Sequence, residues 1–205
     1  MDTTTEQSIM LAAEVEFMEK GFVAAKTTDI ARRAGVTHAM LHYYYRTKEN
    51  LFKQVFQKKI QLLADSFVTI LSQEIPFLEK IQQGVSAHLD FLAANPRLPL
   101  FVLWEIVGNP DRQETCREVL LPVFKKVIEE LQEILDAERR RGASVPESAQ
   151  ELMLNIVSMN VFTILSLPIA MLLTETREED RDQFLQRRKQ QIVRQVLSQL
   201  TENHK

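Results

Sequence analysis

Cysteine, glycine and proline are scarce in this 205-residue chain, at one, five and seven residues. A lone Cys116 can close no intrachain disulfide, which excludes a disulfide-stapled secreted module. So little glycine and proline excludes collagen-like and low-complexity chains, and the lack of alternating β-branched runs argues against a sheet protein built from tight hairpins. Charge of one sign is not in excess: the net is −3, and 26% charged residues stand against 45% apolar ones, which excludes a charge-dominated disordered chain. No basic stretch followed by an apolar signal core opens the sequence, so the expected location is the cytoplasm. What remains is a well-cored, mostly helical protein.

The charge is unevenly spread. Residues 20–60 hold nine Lys or Arg and two acids, a net of +7, which leaves −10 for the rest of the chain. A basic surface on an acidic body allows an anionic protein to approach phosphates locally. A merely solvated basic face explains the same numbers, so the local pattern has to decide.

Helical periodicity divides the chain. Ile9, Ala13 and Phe17 mark a first helix over 4–20, with Gly21 as its left-handed cap. Thr28 is the expected N-cap of a short second helix that Gly35 closes. Thr37 caps a third helix running to about Tyr45, and Thr47 a fourth that begins near Lys48 and ends before Pro76. Further helices are expected from Phe77 to Asn95-Pro96, from about Leu100 to Gly108-Asn109-Pro110, onward to about Arg141 with a break or kink at Pro122, over 147–173, and over 179–201. Leu152–Leu173 carries no charge and is long enough for a bilayer, yet Asn155, Ser158, Asn160, Thr163, Ser166 and Pro168 interrupt it. It reads as a helix buried on most sides, with no membrane partner.

Residues 27–51 form a helix, a glycine turn and a helix. Ile30, Ala34, Val36, Leu41 and Tyr45 supply a small core, and Ala31 and Ala34 permit close crossing. Thr37, His38, Ala39, Met40, Tyr43 and Tyr44 are left outward, an unusual face for a helix meant only for water. Here the sequence resembles the tetracycline-repressor (TetR) family of bacterial transcription regulators. Thr28, Ile30, Ala31, Ala34-Gly35-Val36-Thr37, Leu41, Tyr44-Tyr45, Lys48, Glu49 and Leu51 stand in the family's order and spacing, within a similarity covering about residues 8–56. His42 occupies a position that is usually tyrosine in the family, which puts a phosphate contact there in doubt or makes it pH-dependent.

The resemblance implies an all-α protein: a three-helix helix-turn-helix DNA-binding domain at 1–50, then a larger helical effector-binding and dimerisation domain at 51–205. The helix Thr37–Tyr45 should enter the major groove with His38, Ala39, Met40 and Tyr43 nearest the bases. Thr27, Thr28, Thr37, Tyr44 and Lys48 should hold phosphates of a double-stranded operator, with His42 beside them. His38 and His42 also have the i, i+4 spacing of metal ligands, but no third ligand is near and no metal is expected.

For the body, the resemblance implies a homodimer and a pocket for a small, largely apolar effector. The last two helices are the interface candidates, because the first of them is apolar around too much of its circumference for one neighbour. Phe91, Phe101, Trp104, Cys116, Phe124, Met159 and Phe162 are the candidate lining, with His88 and Glu105 as polar anchors. The expected function is a repressor released by its effector from a palindromic operator. The alternative is a DNA-binding protein without a small ligand, controlled by a partner or by abundance. No paired carboxylates, phosphate loop or activated nucleophile suggests an enzyme, and no cofactor is implied.

Overall fold

In the computed structural model, residues 4–108 and 113–201 are described, and among them every regular element is helical. Helix α1 (Thr5–Ala24) starts with a capping box: the Thr4 hydroxyl accepts from Gln7 N, and Gln7 Oε1 accepts from Thr4 N. Gly21 interrupts it at φ 72°, where the sequence suggested its end, but a final turn continues to Ala24. Helix α2 (Thr27–Arg33) begins two residues before the expectation. Lys26 is the N-cap without a side-chain cap bond, so the Thr28 cap is corrected, and the Thr27 hydroxyl turns instead to His38. Gly35, at φ 71°, makes the turn into α3 (His38–Tyr45), where Thr37 does cap by accepting from Met40 N.

Helix α4 (Lys48–Leu71) follows, with the Thr47 hydroxyl accepting from Asn50 N. Then come α5 (Phe77–Ala94), α6 (Leu98–Val107), α7 (Gln113–Arg140), α8 (Ala149–Leu173), a short 3-10 turn Glu178–Asp180, and α9 (Arg181–Thr201). Asn109-Pro110, expected to stop α6, lies outside the described residues. Pro122 is accommodated inside α7.

Two compact units result: one comprises Met1–Leu62 and Leu100–Pro122, the other Leu63–Pro99 and Val123–Lys205. In the first, Ile9, Ala13 and Phe17 of α1 are buried, as are Ile30 and Ala31 of α2 and Leu41 and Tyr45 of α3. Burial pushes the Tyr45 phenol up to about 12, so it stays neutral and donates to the Glu6 carbonyl at 3.4 Å. An aromatic cluster explains why α6 belongs here: Phe52 packs 5.3 Å from Phe17, 5.2 Å from Phe22 and 5.6 Å from Phe101, which also meets Phe56.

The second unit is built on α5, α8 and α9, which pack pairwise. Its core includes Phe67, Val85, Leu89, Val127, Leu135, Ile156, Ile164, Ile192 and Val196. Helix α8 is long and apolar enough, by length and composition, to cross a membrane. It is not buried on most sides: Leu154, Phe162, Ile169, Leu172 and Leu173 form an exposed stripe opposite the core face.

Candidate nucleic-acid interface

Helix α3 divides its residues by face. Leu41 and Tyr45 are sealed in the core, while Thr37, His38, Ala39, Met40, His42, Tyr43 and Tyr44 are all exposed, Tyr43 to 82%. A short capped helix with two buried anchors four residues apart must present the residues between them, which is why the face could be read from spacing. The Tyr43 and Tyr44 rings meet edge to face at 5.5 Å. The His38 and His42 rings do so at 4.4 Å, and among the described residues no group of three His, Cys, Asp or Glu gathers that could hold a metal.

Several candidates also have partners inside the fold. His38 Nε2 and the half-buried Thr27 hydroxyl are 2.9 Å apart, so α2 and α3 brace each other through two candidate contacts. His42 Nδ1 donates to the Arg46 carbonyl at 3.0 Å, which places its neutral proton on that nitrogen. Lys48 Nζ donates to the Val23 carbonyl at 3.2 Å and sits 4.5 Å above the Phe22 ring. Thr28 is exposed at the start of α2.

The basic window is partly neutralised by acids outside it. Lys20 and Arg33 pair with Glu16, Arg33 also reaches Glu19, Lys59 pairs with Glu14, and Lys53 with Glu118. The Lys20 ammonium, outweighing burial and helped by Arg33, holds the Glu16 carboxyl below the usual range. Lys26, Arg46 and Lys58 make no ion pair among the described residues. Lys26 and Arg46 flank the α2–α3 turn structure directly, and sequence reading passed over them although charge alone marked them.

The effector candidates separate. Phe101, Trp104 and Cys116 lie in the first unit: Phe101 and Cys116 are buried, and Trp104 is exposed. Phe91, Phe124, Met159 and Phe162 lie in the second, where Phe91 and Met159 pack on the core, Phe124 is half-buried and Phe162 is exposed. Of the two polar anchors, Glu105 is fully buried and accepts from Phe22 N at 3.0 Å, while His88 is buried against Asn160. Asn160 was seen in the sequence only as an interruption of an apolar run.

Residues 9–55 match the family model for bacterial regulatory proteins of the tetR family. These residues therefore carry the amino-terminal domain of the tetR family. Among curated relatives, the HTH-type transcriptional repressor SCO4008 of Streptomyces coelicolor is 31% identical over 102 residues, 49% of each chain. The fatty acid metabolism regulator protein of Bacillus subtilis is 24% identical over 115 residues, 56% of this chain and 59% of that one. The alignments thus span only about half to three fifths of these relatives' lengths. Among solved structures, the transcriptional regulator FadR from Bacillus subtilis in complex with stearoyl-CoA has a similar fold, with TM-score 0.67, 17% identity and coverage of 94% of this chain and 98% of the other.

Proposed function

We propose that this TetR-family chain is a cytoplasmic, non-enzymatic transcriptional regulator. It acts as a repressor that binds a palindromic operator as a homodimer and leaves it when a small, largely apolar effector binds. The observation that carries DNA binding is the outward face of α3, where His38, Ala39, Met40 and Tyr43 project from a helix held by Leu41 and Tyr45. Such a face suits a major groove, with Thr27, Thr28, Thr37, Tyr44 and Lys48 holding phosphates and His42 beside them. Lys26 and Arg46, exposed and in no ion pair among the described residues, join the phosphate-binding set.

Two copies place two such helices on successive grooves, roughly 34 Å apart or a multiple of that. The exposed stripe of α8, together with α9, supports the dimer. Regulation follows from population shift: an effector that favours a head separation other than the one DNA requires lowers operator affinity. Helix α4 is the coupling element, since it begins beside the DNA contacts and ends at Leu71 in the second unit. The stearoyl-CoA named for the Bacillus subtilis structure has a long apolar acyl chain, which supports an effector that is largely apolar, for which Phe91, Phe124, Met159 and Phe162 of the second unit are candidate contacts. One observation favours a protein without a ligand: the core cavity lined by Phe67, Ile81, Gly84 and Met153 holds only about 20 Å³, room for about one water.

The test is recovery of bound duplexes from a random pool, with wild type, Lys48→Ala and Tyr43→Ala. The lysine change is expected to weaken binding to all sequences and lower the salt slope by about one; the tyrosine change is expected to alter the preferred bases. Uniform enrichment of every sequence by the wild type would refute specific reading.

A further inference from the structure

A cleft of about 290 Å³ opens within the second unit, between the last turns of α5 and the first turns of α9, a volume at the lower end of small-molecule sites. Residues 89 and 93 share one face of α5, and residues 181, 185 and 189 share one face of α9, so each helix lends the cleft a single stripe. Leu89 and Leu185, both buried, and Ala93 make its apolar lining. Asp90, Arg181, Asp182 and Lys189 supply two charges of each sign, which leaves the wall without net charge.

The two pairs of charges differ. Lys189 Nζ donates to both carboxylate oxygens of Asp90, at 2.6 and 2.8 Å, and that pair is closed. The Arg181 side chain keeps only 27% of its exposure, yet its nearest carboxylates are Asp182 at 3.6 Å and Glu178 at 4.0 Å. Both exceed hydrogen-bond reach, and the guanidinium has no hydrogen bond among the described residues. The neighbouring acids are engaged elsewhere: Arg177 holds Glu179 at 2.6 Å and Asp180 at 3.3 Å. Five N–H donors in a fixed fork therefore stand at the cleft without an acceptor, and Asp182, 93% exposed, lies beside them as a loosely held anion.

We propose that this cleft binds a free α-amino acid with an apolar side chain. Its carboxylate accepts a bidentate pair of hydrogen bonds from Arg181, its ammonium donates to Asp182, and its side chain covers Leu89, Ala93 and Leu185. A wall with no net charge but one open pair of opposite charges matches a ligand that is itself neutral overall and dipolar. A simple carboxylic acid would satisfy Arg181 while bringing an unbalanced negative charge beside Asp182 and Glu178. A simple amine would leave the guanidinium fork unmatched and add a like charge next to it. None of Phe91, Phe124, Met159 and Phe162 lines the cleft, so this site is separate from the effector contacts considered above.

The experiment titrates the full chain near neutral pH with L-leucine, 4-methylpentanoate and 3-methylbutylamine, which share one branched apolar body and differ only in their charged groups. Wild type is expected to bind leucine about tenfold or more tighter than either singly charged analogue. Arg181→Gln should bring leucine level with the amine, and Asp182→Asn should bring it level with the acid, because each change removes the partner of one ligand charge. Nitrogen NMR of the wild type gives a second reading that needs no variant: leucine should move the Arg181 Nε signal. No binding of leucine, equal or tighter binding of either analogue by wild type, an unmoved Arg181 Nε signal, or a variant that keeps the wild-type preferences would each overturn the assignment. These readings involve no DNA, so failure of the operator selection would refute the regulator reading and leave the cleft standing.

Discussion

Gly21 holds α1's interruption at φ 72°, whereas Gly84 lies inside α5 with only Phe67 near its missing side chain. The same substitution should therefore have opposite signs at the two positions. Gly21→Ala forces a left-handed backbone on a residue with a Cβ and is expected to cost about 1 kcal/mol or more; Gly84→Ala gains helix propensity and should stabilise by roughly 0.5–1 kcal/mol. Urea unfolding of both variants checks the contrast, and a common sign would contradict it. His88 carries a pH expectation. Its folded pKa, about 4, lies below the ordinary 6.5, so on acidification the unfolded chain takes up the proton first. The stability tied to neutral His88 is fully present above about pH 6.5 and is lost as pH falls toward 4, on the order of 3 kcal/mol in all. Unfolding curves for wild type and His88→Phe across that window should converge; parallel pH dependence would exclude this assignment.

Between elements, Glu16 ties α1 to α2 through Arg33 at 3.0 Å and to Lys20 within α1 at 2.6 Å. The partners are substantially exposed, so screening limits the effect: Glu16→Gln is expected to cost about 1–2 kcal/mol, and the difference from wild type should fade as acid protonates the carboxyl. Thermal unfolding of the two proteins near neutral and acid pH measures it. The helices themselves were readable because their signals are local: Thr37 and Thr47 cap amides only three residues away. Thr28 misled because a contact eleven residues apart, Thr27 to His38, decides how α2 begins. The partners of the buried Glu105 and Asn160 lie more than seventy residues off and leave no periodic trace. The positive window overstated the available charge for the same reason, since Glu14, Glu16, Glu19 and Glu118 lie outside it.

At the level of the molecule, the stripe of Leu154, Phe162, Ile169, Leu172 and Leu173 leaves α8 with more apolar surface than a solvated helix normally shows. Phe162, exposed to 69%, can be changed without disturbing the core. Phe162→Glu is expected to leave helicity intact while halving the mass seen by sedimentation equilibrium and weakening operator binding about tenfold or more, as two linked heads become one. Unchanged mass would move the interface elsewhere. The mixed make-up of the first unit has another outcome. Phe52 and Phe56 are completed by Phe101, some fifty residues further along the chain, and Phe22 N by Glu105, 83 residues on. An amino-terminal fragment cut at Leu62 would be left with a bare aromatic surface. A chimera that grafts this head onto another sensor would need to carry Leu100–Pro122 as well, making two splice points rather than one.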